Sequence, residues 1–225
     1  MSYYALIASP LGPILLQAEE GTLAGLYFAD QADCPHIPGL DPVSSARARG
    51  PALGQRNGQP LHSFRVAGQA DQGGPPDTSA RAGGAVPASR PAIRYIGAGG
   101  EPPARVRQLF AQVEQQLGEY WEGRRRHFDL PLAAHGTGFQ KKVWDALLAV
   151  PFGSTLSYGE LAGRAGFSAR HGRAVGAAVG RNPISIIIPC HRILAKDHTL
   201  NGYGGGLDRK LRLLQLEGLS VRAPA

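Results

Sequence analysis

A chain of 225 residues is long enough for one large domain or two small ones. Two cysteines exclude a disulfide framework, and neither a signal-like start nor a membrane-length apolar run is present, so we expect a cytoplasmic protein with reduced thiols. The net charge of +7 favours a polyanionic partner, most simply nucleic acid, although a membrane surface or simple solubility would also fit.

The first 28 residues predict a small antiparallel meander. Short apolar runs at residues 3–8, 13–17 and 23–28 have the length of strands. Turn-forming residues separate them at 9–12 and 19–21.

The composition changes between about residues 31 and 100, where glycine, proline and small polar residues dominate. Such a segment buries too little apolar surface to offset the entropy of ordering, so we interpret most of it as a flexible insertion. Residues 93–96 are a candidate additional strand. Cys34 and His36 also lie here, but two potential ligands are too few for structural zinc, and we predict no metal.

A long amphipathic helix is predicted over Ala104–Trp121, because apolar residues recur there at helical spacing. Two further helices begin with capping boxes, which pair Thr137 with Gln140 and Ser157 with Glu160. Another helix follows from about 170 to 181. Together with the short helix after Ser157, it has the pattern of a helix-turn-helix.

The helix over 170–181 is rich in alanine and glycine, which weaken a helix but permit close approach to another surface. That surface is either a neighbouring helix or DNA. In the second case Arg170, Arg173 and Arg181 would contact the backbone or the base stack.

The most informative stretch is residues 182–192. The run from Ile184 to Ile188 predicts a buried strand or extended core segment that must stop at Pro189. Cys190 would then be held at the end of a rigid element. His191 and Arg192 would place a base and a fixed positive charge beside the thiol, which reacts as the thiolate. The alternative is a buried structural cysteine.

The chain closes with a glycine-rich loop at 201–206, which fits a pocket wall where backbone approaches a ligand. A final helix over 208–217 follows, with Gly218 at its C-terminal end. Its outer face is expected to be basic. The residues that form this face are Arg209, Lys210 and Arg212.

Several motifs together resemble the 6-O-alkylguanine-DNA alkyltransferases, closely over residues 104–218 and loosely over 3–28. The matching strings are Phe139-Gln140-x-x-Val143-Trp144, Ser157-Tyr158-Gly159-Glu160-Leu161-Ala162, Arg173-Ala174-Val175-Gly176, Asn182-Pro183, Pro189-Cys190-His191-Arg192, Gly202-Tyr203 and Glu217-Gly218. The resemblance implies an α+β fold. A small N-terminal α/β domain of ribonuclease-H-like type, with an antiparallel sheet, would span residues 1–133. A mostly helical domain with a winged helix-turn-helix would span residues 135–225.

The resemblance also implies the chemistry. Cys190 would take the alkyl group from guanine, and possible activity on 4-O-alkylthymine is left open. The thioether formed would not be hydrolysed, so each molecule would act only once. His191 would deprotonate Cys190 through a water, Glu217 would orient His191, and Asn182 would tie the helix-turn-helix to the active-site loop.

Further residues are implied to bind DNA or the flipped base, in a monomer that needs no cofactor. Arg173 would fill the gap in the base stack, and Tyr158 would crowd a phosphate. The full set is Tyr158, Arg170, Arg173, Ala174, Ala177, Arg181, Ile193, Tyr203 and Gly204.

Three other functions share parts of this pattern. A lesion-flagging relative would bind damage without reacting, but such proteins carry another residue where this chain has Cys190. A helix-turn-helix regulator could sense alkylation or oxidation at the same thiol. A cysteine hydrolase would turn over, whereas a transferase stops at one event.

Overall fold

The computed structural model describes residues 1–37, 55–56, 59–60, 65–66, 93–96 and 101–222. Within these ranges the chain is a mixed α/β molecule with an antiparallel sheet and five α-helices, in agreement with the expected α+β class. Most of the predicted insertion lies outside the described residues. None of the helices in the described ranges is long and apolar enough to cross a bilayer.

The strands, in chain order, are β1 (Ser2–Ile7), β2 (Ile14–Glu19), β3 (Thr22–Phe28), β4 (Gln55–Arg56), β5 (Gln59–Pro60), β6 (Arg65–Val66), β7 (Arg94–Ile96), β8 (Leu156–Ser157), β9 (Ile193–Leu194) and β10 (Val221–Arg222). The helices are α1 (Ala104–Trp121), α2 (Gly138–Leu148), α3 (Tyr158–Arg164), α4 (Gly172–Gly180) and α5 (Leu207–Leu216). Two single 3-10 turns, Ala169–His171 and Cys190–Arg192, precede α4 and β9.

The main sheet has the order β3-β2-β1-β7, and all its pairs are antiparallel. The meander of the first 28 residues is therefore confirmed, as is the extra strand near residue 95. Helix α1 lies against this sheet and has the predicted bounds. Its apolar stripe, including Val106, Phe110 and Val113, is buried because one face of the sheet needs a cover.

Helices α2, α3 and α4 pack on one another in the second half of the chain. Both predicted capping boxes are present, at Thr137 and at Ser157. The indole N–H of Trp144 on α2 donates to the carbonyl of Ala178 on α4 at 2.9 Å. This buried bond fixes the position of α4, which borders the candidate site.

The edge strand β3 connects the sheet to the stretch that carries Cys190. The Leu26 N–H donates to the Pro183 carbonyl at 2.8 Å, and the Ser185 N–H donates to the Leu26 carbonyl at 2.9 Å. One apolar core runs through both halves of the chain, from Ala5 to Leu213. The active-site stretch is thus supported directly by the N-terminal sheet.

The prediction of a strand or extended segment over residues 184–188 was wrong. The isoleucines are buried as expected, but the backbone forms successive turns and only Ile184 makes a β-bridge, with Leu26. The Ile188 N–H donates to the Ile184 carbonyl at 3.0 Å, and Ile186 has a φ of 71°. A β-branched residue rarely adopts positive φ, so the turn is held by its surroundings rather than by local preference.

Candidate active site

Cys190 begins a 3-10 turn directly after Pro189, and its side chain is buried. The amide N–H of Cys190 donates to the Ile188 carbonyl at 2.8 Å, which closes the preceding turn onto the nucleophile. The predicted rigid presentation of the thiol is therefore achieved by a compact turn at the end of a buried run. Cys34, by contrast, is half-buried in the loop after β3 and does not line the cavity at Cys190.

Asn182 ties the whole turn together through its side-chain amide. Its amide nitrogen donates to the Ile188 carbonyl at 2.8 Å and lies 3.1 Å from the Cys190 sulfur. Its amide oxygen accepts from the Ile184 N–H at 3.0 Å. One buried side chain thus links the end of α4 to both ends of the turn and orients the thiol.

Burial raises the pKa of Cys190. The hydrogen bond from Asn182 and the positive charge of Lys210 oppose this rise. A buried thiol with a raised pKa is mostly protonated at rest. It therefore needs a base to become a nucleophile.

His191 and Glu217 form the predicted pair behind the thiol. The Nε2 atom of His191 lies 2.8 Å from Oε1 of Glu217, and both side chains are fully buried. Within the described residues, His191 Nδ1 is buried without a hydrogen-bond partner. A neutral imidazole that donates from Nε2 has a lone pair at Nδ1, so this ring is set to accept a proton.

Arg192 has a different role from the one predicted. Its Nε and Nη2 atoms each lie 2.9 Å from an oxygen of Glu217, and its Nη1 donates to the Val150 carbonyl at 2.5 Å. The guanidinium is therefore directed at the carboxylate rather than at the thiol. Arg192 thus forms a bidentate ion pair with Glu217, and pairs of this kind are strong and fixed in geometry.

Burial, helped by the charge of Arg192, keeps His191 neutral. Burial would raise the pKa of Glu217, but contacts with His191 and Arg192 hold it well below its ordinary value, so the carboxylate is ionised. Burial lowers the pKa of His191, and the negative charge of Glu217 opposes that effect. Because Arg192 balances the charge of Glu217, the imidazole sits beside a nearly neutral ion pair and remains an unprotonated base.

Lys210 was predicted on the outer face of the last helix, and this was wrong. Its side chain is fully buried, and Nζ donates to the backbone carbonyls of Ile193, Asn201 and Gly202. Burial lowers its pKa to about 8, against the effect of Cys190. The sequence did hold a signal, because position 210 falls on the same helical stripe as Leu207 and Leu214.

A cavity of about 160 Å³ opens onto Cys190. Predicted residues Tyr158, Tyr203 and Gly204 line it, whereas Ile193 lies in the core and does not. Gly202 also lines it, as expected of the glycine-rich loop, and α4 contributes Gly176, Val179 and Gly180. A Cβ atom at Gly176 would lie 3.5 Å from the ring of Tyr158, at ordinary van der Waals distance.

The arginines of the helix-turn-helix pattern lie outside this cavity on the surface. Every predicted DNA-contacting residue of this region is exposed, while Val175, Ala178 and Val179 on the opposite face of α4 are buried. The exposed set is Arg170, Arg173, Ala174, Ala177 and Arg181. A basic, small-residue surface thus adjoins the mouth of the cavity.

Three comparisons place this geometry among known proteins. Residues 138–219 match the family model described as 6-O-methylguanine DNA methyltransferase, DNA binding domain. The methylated-DNA–protein-cysteine methyltransferase of Mycobacterium bovis is 49% identical over 116 residues, which are 52% of this chain and 68% of that protein. The protein of the same name from Haemophilus influenzae is 51% identical over 110 residues, 48% of this chain and 61% of that one.

The fold agrees over a greater length. The crystal structure of Mycobacterium tuberculosis OGT in complex with DNA superposes with a TM-score of 0.61 at 31% identity, covering 99% of this chain and 95% of that chain. The Mycobacterium tuberculosis O6-methylguanine methyltransferase superposes with a TM-score of 0.60 at 31% identity, covering 96% and 93%. On the strength of these similarities, which agree with the site at Cys190, the chain belongs to the family of methylated-DNA–protein-cysteine methyltransferases.

Proposed function

We propose that this protein repairs DNA by moving the alkyl group of a 6-O-alkylguanine onto Cys190. The observation that carries the proposal is the buried Cys190 thiol at a cavity bordered by Tyr158 and Tyr203, followed in the chain by His191, a neutral base hydrogen-bonded to Glu217. A relative with 31% identity has been solved in complex with DNA, which supports DNA as the partner. The net charge of +7 agrees with that partner.

The chemical step needs no cofactor. His191 takes the thiol proton through a water, and the sulfur attacks the alkyl carbon. A sulfur–carbon bond forms as the carbon–oxygen bond breaks, and the electron pair stays with guanine, which takes up a proton on leaving. Because a thioether is not hydrolysed, each molecule of protein acts once. Glu217 and Asn182 act by holding His191 and the thiol.

The exposed face of α4 is proposed to receive the DNA. Arg170 and Arg181 would contact phosphates, and Arg173 would fill the gap left when the damaged nucleotide turns out of the duplex. Ala174 and Ala177 would let the helix approach the duplex closely. Tyr158, Tyr203 and Gly204 would surround the extruded base, while Ile193 would contribute only through its backbone.

The finer description of the fold belongs to the same proposal. Helices α3 and α4, joined by a short turn, would act as a winged helix-turn-helix in a domain spanning 135–225. Residues 1–133 would form a ribonuclease-H-like domain that holds this one in place. The protein would work as a monomer, because one chain supplies all the proposed contacts. A cytoplasmic location would keep the thiol of Cys190 reduced.

The test is the intact mass of the full chain after incubation with an equal amount of duplex carrying one 6-O-methylguanine. We expect one added methyl group, mapped to the peptide with Cys190, absent in Cys190→Ser and retained in the control Cys34→Ser. Tight binding without a mass change would replace this function with lesion flagging. Repeated turnover by one molecule would replace it with hydrolysis.

A further inference from the structure

Tyr120, near the end of α1, reaches into the relay behind Cys190 from the other half of the chain. Its hydroxyl donates to Oε1 of Glu217 at 2.9 Å, across 97 positions of sequence. The ring is fully buried and is packed among the rings of Trp121, Phe128 and Phe152. These contacts hold the hydroxyl in one place.

The Glu217 carboxylate is fully enclosed by donors. Oε1 accepts from Tyr120, from His191 at 2.8 Å and from Arg192 at 2.9 Å. Oε2 accepts from Arg192 at 2.9 Å and from the Gly153 N–H at 3.1 Å. Tyr120 is thus the donor from α1 that shares with His191 the oxygen on which the base depends.

We propose that Tyr120 is a positioning residue for alkyl transfer, which acts through Glu217 by fixing Oε1 and by weakening the pull of this oxygen on the His191 proton. This inference rests on the proposed function and extends the relay to the N-terminal half of the chain. The second half alone, which the family model matches, would then lack one contact that tunes its base.

The physical reasoning concerns how the negative charge is shared. A hydroxyl donor draws charge from Oε1 and weakens its pull on the His191 proton. Without that donor, the carboxylate stabilises the imidazolium more strongly, so His191 would hold a proton at a higher pH. A protonated ring cannot accept the thiol proton, and the rate at low pH would fall.

The experiment is the single-turnover rate of methyl transfer from a 6-O-methylguanine duplex, measured from pH 5 to 9 for the full chain. Tyr120→Phe removes only the hydroxyl. We expect the acid limb of the profile to move up by about half a pH unit, with a rate on that limb roughly threefold lower and a rate at neutral pH close to that of wild type. The control Tyr27→Phe also changes a buried tyrosine, in β3 and away from Glu217, and should leave the profile unchanged.

A second variant covers the case in which Tyr120→Phe fails to fold. Replacing Tyr120 by 3-fluorotyrosine keeps the ring and hydroxyl but makes the hydroxyl a better donor, so the acid limb should move down. A wild-type profile for both variants, or a uniform loss of rate at every pH, would overturn the inference while leaving methyl transfer intact. No methyl transfer by the wild type would overturn the proposed function, and this inference with it.

Discussion

Replacing Glu217 by glutamine is the sharpest test of the relay, because the change is nearly isosteric and removes only charge and acceptor capacity. Five hydrogen bonds converge on the carboxylate, and two of them come from Arg192. An amide offers one acceptor oxygen, and its NH₂ group is itself a donor. Whichever way the glutamine turns, at least two donors lose their acceptor and meet N–H groups.

The magnitude follows from that count. Hydrogen bonds to a charged group contribute about 1.5–3 kcal/mol each, so two losses predict about 3–6 kcal/mol. An independent argument gives a similar value, since removing one partner of a buried ion pair costs about 3–5 kcal/mol. For a chain of this size, about 3 kcal/mol or more lowers the melting temperature by roughly 10 °C.

The assay is thermal and urea unfolding of the full chain followed by circular dichroism. Glu122→Gln is the matched control, because Glu122 is an exposed carboxylate that pairs with Arg124 on the surface. We expect the control to remain within about 0.5 kcal/mol of wild type. If Glu217→Gln also stays within about 1 kcal/mol of wild type, the reasoning about a charge held by buried donors is refuted.

The pH dependence provides a second check on the same variant. Folding lowers the pKa of Glu217, so the unfolded chain binds more protons than the native one as the pH falls. The stability that this carboxylate contributes is complete above its unfolded pKa, about 4.3, and is lost below it. Glu217→Gln should therefore show a smaller loss of stability between neutral pH and pH 3 than wild type, measured in the same unfolding experiments.

Three further predictions concern other parts of the site. Because burial lowers the pKa of Lys210 to about 8, the wild type should gain about 3 kcal/mol of unfolding free energy from pH 8 to 10.5; Lys210→Met should lack that gain in urea titrations. Arg173→Ala should slow methyl transfer from duplex DNA and reduce the salt dependence of binding by about one charge, whereas Arg212→Ala on α5 should change neither in fluorescence titrations. Gly202 and Gly204 are exposed and carry no side chains, so they leave room in the wall of the cavity for a larger alkyl group. We therefore expect 6-O-benzylguanine to react as fast as the methyl substrate in a mass assay, and a rate at background would contradict this reasoning.

Local sequence patterns were enough to predict most of the helices and strands. The bounds of α1 and the capping boxes at Thr137 and Ser157 were readable because they depend on spacing over a few residues. The end of α5 at Gly218 was readable for the same reason. There φ is 82°, and the Gly218 and Leu219 N–H groups each return to a carbonyl of the last turn at 3.0 Å.

The shape of the active-site stretch was decided by tertiary contacts. Residues 184–188 have strand composition, and β3 does offer one ladder contact at Leu26. However, Asn182 binds the backbone at both ends of the segment, which folds it into turns. A side chain that bonds backbone groups two and six residues away competes directly with strand pairing.

The sequence by itself therefore predicted the order of the helices and strands, and its short motifs pointed to Cys190 as the proposed nucleophile and His191 as the proposed base. Only the tertiary structure decided the electrostatics. Arg192 pairs with Glu217 instead of lying beside the thiol, and the side chain of Lys210 is buried instead of exposed. Tyr120 donates to Glu217 although the two residues are 97 positions apart in the sequence. The physical reason is that a buried charge must find its partners wherever the fold brings them, and sequence spacing does not record which groups become neighbours.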